Sequence, residues 1–321
     1  MKDVAKAAGV SIGTVSKVIN KSGNVSPKIR ERVLLAISLL NYKPNGIARS
    51  LKNSKTNIIG VILPGLYDIY LMKILNNIEK IASAKGYKII YCSTNGELAK
   101  EIKSLQWLIE KRVDGILFYP TSEELTDVEI PPSIPVVLIE RELKNYKFPT
   151  IMHEHVEACR QLIEPLTQKQ SLLFFHGSQN DSVERSKITG FFKALEHLGI
   201  EKESDCFKEV NVKHDRTFIA DYIKQTISST PKVSGVVATN PILLSESIKV
   251  SEELGLVDQT DFEICGFGDI DPFEIRRNKI RIAKEQPNEL ARVALSSLLD
   301  QMNKSCKVVS KNLYVTHTFQ N

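Results

Sequence analysis

Apolar residues recur along the first forty positions at helical spacing. Asp3 to Ala8 reads as a short helix, and Ala8-Gly9-Val10 as a turn in which Gly9 takes a positive φ. Ser11 then caps a second helix over Ile12 to Asn20. Ser26-Pro27 opens a third, with Ser as cap and Pro in the first helical position. Ile29, Val33, Ile37 and Leu40 form its inner stripe, and Val4, Ala5, Val10, Val15 and Ile19 close a small core. Two short helices joined at a Gly turn and braced by a third make a helix-turn-helix arrangement. Tyr42-Lys43-Pro44-Asn45 is extended, because the residue before proline avoids helix. Gly46 to Lys52 has room for two helical turns, too few to fold without a partner surface.

The texture changes at Asn57. Continuous apolar runs of strand length (58–63, 88–91, 115–118, 135–139, 171–175, 234–238, 262–265) alternate with amphipathic segments of helix length (70–85, 98–111, 153–166, 184–198, 216–228, 241–254). Such alternation predicts parallel sheets covered by helices on both faces. Its length suits two similar lobes, with a ligand cleft at the carboxyl ends of their strands.

Composition narrows the function. The 321 residues are 42% hydrophobic and 25% charged, as in a soluble globular protein large enough to need no staples. Of the net charge of +5, residues 1–56 carry +9, from eleven Lys/Arg against Asp3 and Glu31, so the remainder is −4. A basic head on a mildly acidic body points to nucleic acid at one end. Cys92, Cys159, Cys206, Cys265 and Cys306 form no Cys-x-x-Cys pair, and scattered thiols suit a reducing compartment. The start, Met-Lys-Asp-Val-Ala-Lys, reads as lacking a signal segment, and no apolar run is long enough to span a membrane, so a cytoplasmic location is expected.

Enzyme signatures are missing: no Gly-rich phosphate loop, no Gly-x-Ser-x-Gly and no His-Glu-x-x-His occurs. No catalytic residue and no cofactor is therefore assigned. His153-Glu154-His155 is the one metal-like cluster. Histidines at i and i+2 of a helix point apart and no third ligand is evident, so they read as polar residues at a helix start, and no metal is expected. Trp107 reads as a packing residue on a lobe face.

The second helix carries the clearer chemistry. With its N-terminal end in a major groove, Ser11, Thr14, Ser16 and Asn20 would donate to phosphates. Ile12, Gly13 and Lys17 would face base edges, and only Lys17 can reach guanine O6 and N7.

These residues also carry a resemblance. Asp3 through Ser11, Thr14-Val15-Ser16, Val18-Ile19-Asn20, Val25-Ser26, Asn41 through Asn45 and Ala48-Arg49-Ser50-Leu51 strongly resemble the lactose/galactose-repressor (LacI/GalR) family of bacterial regulators. Weaker body motifs agree: Ile59-Gly60-Val61, Arg112 through Gly115, Pro135-Val136-Val137, Gly190-Phe191, Gly266-Phe267 and Gln286-Pro287. The resemblance implies a homodimer on a palindromic double-stranded operator and a periplasmic-binding-protein-like body that senses a small molecule. It places Tyr42, Asn45, Ala48, Arg49 and Leu51 at the DNA, with Leu51 as a minor-groove wedge on a hinge helix. It implies effector contacts from Tyr70, Leu71, Arg141, Arg185, Lys187, Asn240 and Asp269.

Departures from the family pattern matter most in the cleft. Asn240-Pro241 stands where Asn-Asp is usual and Gly266-Phe267-Gly268-Asp269 where Gly-Phe-Asp-Asp is usual; Lys187 replaces an Arg, and Met152-His153-Glu154 covers the usual pocket Asp. With those carboxylates lost, Arg141, Arg185 and Lys187 point to an anionic effector or to lost small-molecule sensing. The alternative is that these cations pair with Glu140, Glu184 or other local acids and a sugar binds through other groups.

The expected protein is thus a non-enzymatic, sequence-specific DNA-binding regulator, more a repressor than an activator, with no membrane association. Its rivals are a regulator that answers to a protein partner and a periplasmic-type solute-binding protein. The expected fold class is α/β: a helix-turn-helix headpiece over 1–44, a hinge over 45–56, and a body of two doubly wound parallel sheets. The N-lobe is expected over 57–149 plus about 282–305, and the C-lobe over 150–281 plus about 306–321.

Overall fold

The computed structural model describes every residue except 21, 43–54, 67–68, 167–170, 200–205, 213, 260, 270–279, 304–311 and 321. The chain divides into two compact units, Met1–Thr56 and Asn57–Asn321.

The first unit contains α1 (Lys2–Ala8), α2 (Ile12–Ile19) and α3 (Pro27–Leu39). Gly9 ends α1 in the left-handed region at φ 60°, as the turn requires. Ser11 caps α2 by accepting from Thr14 N–H. Pro27 opens α3, although the Ser26 hydroxyl makes no capping bond. Val4, Ala5, Ala8, Val15, Val18, Val33 and Ala36 form the core, with Val10, Ile19, Ile29 and Ile37 half-buried against it. Leu40 does not join the expected inner stripe, since it follows the last helical turn and is exposed.

The second unit contains two six-stranded sheets. The N-lobe sheet uses β1 (Ile58–Leu63), β2 (Lys88–Ser93), β3 (Gly115–Phe118), β4 (Val136–Ile139), β5 (Thr150–His153) and β11 (Leu313–Val315), in the order β11-β5-β4-β3-β1-β2, all parallel. Helices α4 (Ile69–Ala84), α5 (Leu98–Glu110) and α10 (Pro287–Met302) cover it. The C-lobe sheet uses β6 (Leu172–His176), β7 (Phe207–Glu209), β8 (Gly235–Ala238), β9 (Glu263–Phe267), β10 (Ile280–Lys284) and β12 (Thr318–Gln320), in the order β12-β10-β9-β8-β6-β7, with only β12 antiparallel. Helices α6 (His155–Ile163), α7 (Ser182–His197), α8 (Arg216–Ser229) and α9 (Pro241–Glu253) cover that sheet.

Three segments cross between the lobes: Glu154 after β5, Glu285-Gln286 after β10, and Thr316-His317 between β11 and β12. The boundaries expected near 149, 281 and 305 are displaced accordingly. Main-chain pairing holds β5 to β4 and β11 to β5 in the N-lobe, while β10 pairs with β9 in the C-lobe. The helix expected over 153–166 begins two residues later, because His153 still belongs to β5. Gly266 has a packing reason: a Cβ there would meet the Ala238 carbonyl oxygen at 2.3 Å.

Candidate functional site: the reading helix and the inter-lobe cleft

In the headpiece, the buried Val15 and Val18 anchor one face of α2 and leave the opposite face open. Ser11, Ile12, Gly13, Lys17 and Asn20 are exposed, while Thr14 and Ser16 are partly covered. Ile12 keeps 45% exposure, unusual for an isoleucine in so small a unit. The Ser11 and Thr14 hydroxyls bond each other at 3.0 Å, and Asn20 Nδ2 donates to Ser16 Oγ at 3.2 Å. These local bonds orient the polar row of the helix. The Lys17 stem runs past Gly23, where a Cβ would stand 3.5 Å from Lys17 Cδ. Tyr42 is half-buried against the headpiece core, and its N–H donates to the Ile37 carbonyl. Asn45, Ala48, Arg49 and Leu51 lie outside the described residues.

In the body, the expected effector residues gather around the lobe crossings, but their polar groups already have partners. Arg141 pairs with Asp181 and donates to the Pro120 and Thr121 carbonyls. Arg185 pairs with Glu123 and donates to the Gln179 carbonyl. Lys187, only 3% exposed, pairs with Glu285 at 3.0 Å and lies 4.5 Å from the Phe267 ring centre. Burial works against the Lys187 charge, but Glu285 and Glu184 outweigh it and raise its pKa. Burial likewise opposes the Glu285 charge, and Lys187 and His153 more than compensate, so its pKa is lowered. Asp269 pairs with Lys73 and Lys284. Asn240 caps α9 through Leu243 N–H and donates its amide to Glu184 at 2.9 Å. Leu71, expected at the effector, belongs to the N-lobe core at 6% exposure.

Arg141, Arg185 and Lys187, expected to face an anionic effector, are each held by a carboxylate here. Each is matched by a carboxylate far away in sequence, and an anion would have to displace it. The acids differ from the two neighbours considered: Asp181, Glu123 and Glu285 take these roles.

Glu140 and Glu184 instead organise two polar knots. Glu140 ends β4 with φ 61°, in the left-handed region that non-glycine residues seldom occupy. Its carboxylate accepts from Tyr70 OH, from His153 N–H at 3.2 Å and from His153 Nδ1 at 2.5 Å. His153 Nε2 accepts from Gln286 N–H at 2.8 Å, which fixes the Nδ1–H tautomer and ties two crossings together. Burial and Glu140 raise the Tyr70 pKa well above the usual phenol value. Glu184 accepts from Gly177 N–H, the Thr239 hydroxyl and Asn240. Sequence reasoning missed His153, His317, Glu285, Asp181 and Glu123 as cleft residues. A charged residue immediately after an apolar strand was the available signal at Glu140.

Of the two histidines read as polar residues at a helix start, only His155 stands there. One ends a strand and the other begins a helix, so both turn inward, at 2% and 5% exposure. Trp107, read as a packing residue on a lobe face, is 42% exposed, with the Lys111 ammonium over its ring.

A basic helix-turn-helix unit followed by two parallel-sheet lobes around a polar cleft defines a DNA-binding regulator with a ligand-binding body. Residues 1–45 match the family model described as bacterial regulatory proteins of the lacI family, and residues 56–243 match that of periplasmic binding proteins and the sugar binding domain of the LacI family. The chain belongs to the LacI family and is a DNA-binding transcriptional regulator.

Relatives include the HTH-type transcriptional regulator RegA of Clostridium saccharobutylicum, 28% identical over 95% of this chain and 92% of its own length. The ribose operon repressor of Halalkalibacterium halodurans is 27% identical over 95% and 90%. The HTH-type transcriptional repressor PurR of Vibrio atlanticus is 29% identical over 94% and 91%. Among solved structures, the Lac repressor dimer bound to operator and the anti-inducer ONPF superposes with a TM-score of 0.82, at 20% identity over 99% of this chain and 96% of that one. Among the described residues no helix is long and apolar enough to cross a membrane.

Proposed function

We propose that the protein is a repressor acting as a homodimer on a palindromic operator, its grip set by closure of the inter-lobe cleft. The observation that carries this reading is the open face of α2, where Ile12, Gly13 and Lys17 project from a unit carrying +9 through residue 56. Names among the relatives support it, since a ribose operon repressor and a PurR repressor align over nearly the whole chain. The hinge proposed over 45–56 joins the head to the body, with Leu51 wedged into the minor groove. Two heads on one dimer would read half-sites one or more helical turns apart.

The effector in this reading is a small uncharged polar molecule, because the cleft cations are already neutralised by carboxylates. One observation favours a second reading, closure without any effector. The pairs Lys73–Asp269, Arg141–Asp181 and Arg185–Glu123 each join one lobe to the other, and in this second reading they keep the cleft closed. The test is operator binding by the full-length protein on DNA selected from a random pool. A two-fold symmetric site with strongly salt-dependent affinity is expected. Binding to asymmetric DNA as a monomer would defeat the reading.

A further inference from the structure

The three crossings between the lobes each deliver one metal-ligating side chain to the same point. His155 follows the first crossing, Glu285 lies on the second and His317 on the third. One donor atom from each lies within 4.8 Å of the others, the one such group among the described residues. The imidazoles of His155 and His317 are 5.2 Å apart by ring centres, and Phe267 packs edge-on to both.

Both histidines are deeply buried, at 5% and 9% exposure, yet neither ring nitrogen of either makes a hydrogen bond. Four such atoms in one place are a costly arrangement for a fold to keep empty of purpose. His153 next to them differs, because both its nitrogens are engaged, with Glu140 and with Gln286. We propose that His155, His317 and Glu285 form a site for a divalent transition-metal ion of the zinc type, which staples the three crossings of the body.

The donor set is suitable. Two imidazoles and one carboxylate bind zinc and its first-row neighbours and leave a coordination position open. Tetrahedral ligands about 2.0–2.1 Å from zinc stand roughly 3.3 Å apart, so the donors draw inward on binding. The Lys187 ammonium holds Glu285 Oε1, and a carboxylate has a second oxygen to offer the ion.

The inference concerns the body alone and does not rest on the DNA-binding reading. Untagged full-length protein, stripped with a chelator and then freed of it, is titrated calorimetrically with zinc chloride. One ion per chain is expected, with a rise in Tm. His155→Gln and His317→Gln are each expected to weaken binding at least tenfold while retaining the wild-type circular dichroism. Cobalt(II) added to wild-type protein is expected to give the intense visible bands of a low-coordinate nitrogen–oxygen site, so the test survives should a variant misfold. Wild-type affinity in both histidine variants, or a pale octahedral cobalt spectrum, overturns the proposal.

Discussion

Asp181 does two things at once: its Oδ1 accepts from Val183 N–H at 2.9 Å to cap α7, while its other oxygen holds Arg141 of the opposite lobe. The cap is local and the ion pair spans the cleft, so substitutions can separate them. Asp181→Asn keeps a good cap and removes the charge. It is expected to leave stability nearly unchanged and to open the lobes, read as a larger radius of gyration by small-angle X-ray scattering. Asp181→Ala loses the cap as well, at about 1 kcal/mol more. An unchanged radius in both variants would mean that the pair does not hold the cleft.

The open face of α2 gives a sharper test. Lys17 is the long donor among the proposed base readers and is exposed beside Gly23. Lys17→Ala should cost on the order of 1–3 kcal/mol on the cognate operator and relax preference at one position per half-site. An equal loss on every sequence would make Lys17 a phosphate contact instead.

Gly266 explains half of a motif that reads only as a family signature in the sequence. Its missing side chain lets β9 pass the Ala238 carbonyl of β8. Gly266→Ala places a methyl group against backbone that cannot swing aside. A loss of at least 1–3 kcal/mol, the usual range for overpacking, is expected in denaturant unfolding. A wild-type midpoint would show that the two strands separate easily.

The hinge prediction rests on the resemblance alone, since residues 43–54 are outside the described set. Leu51→Ala should weaken operator binding and reduce the DNA bend, because no inserted side chain offsets the cost of unstacking. Gly46→Ala should strengthen binding, as glycine lowers helix propensity by about 1 kcal/mol. A bend unchanged in the Leu51 variant would remove the wedge.

Legibility followed the range of the interaction. The headpiece helices show in the sequence because caps and periodicity are local: Ser11, Gly9 and Pro27 each act within a few residues. The long buried strands show for the same reason. Edge strands such as β7 and β11 have three residues each and too little pattern to register. Their pairing decides where the lobes divide, which is why β5, β10 and β11 fell on unexpected sides. The cleft was the least legible part. Lys187 and Glu285 are 98 positions apart, and Lys73 and Asp269 are 196 apart. Charge counting sees the cations, and only the fold supplies their partners.

Those partners decide the last prediction, the chemistry of the effector. An anion entering the cleft would compete with Asp181 for Arg141, with Glu123 for Arg185 and with Glu285 for Lys187. It would also meet Glu140 and Glu184, whose carboxylates are held in place by Tyr70, His153, Thr239 and Asn240. Of these ion pairs only Lys187–Glu285 is a buried pair, and taking one partner from such a pair strands a charge and typically costs about 3–5 kcal/mol. A neutral polyol avoids that cost. Thermal-shift screening of the full-length protein should therefore find stabilisers among neutral sugars and nucleosides rather than among sugar phosphates and organic acids. Binding of a hit should weaken in Glu184→Gln, because the acceptor charge is lost while the shape is kept. Should no compound act, Asp181→Asn distinguishes the two proposed readings: a cleft held shut by its own ion pairs responds to that substitution by changing operator affinity without any ligand. A phosphate ester that binds tightly and releases the operator would reverse the conclusion and show that the ion pairs yield to a stronger anion.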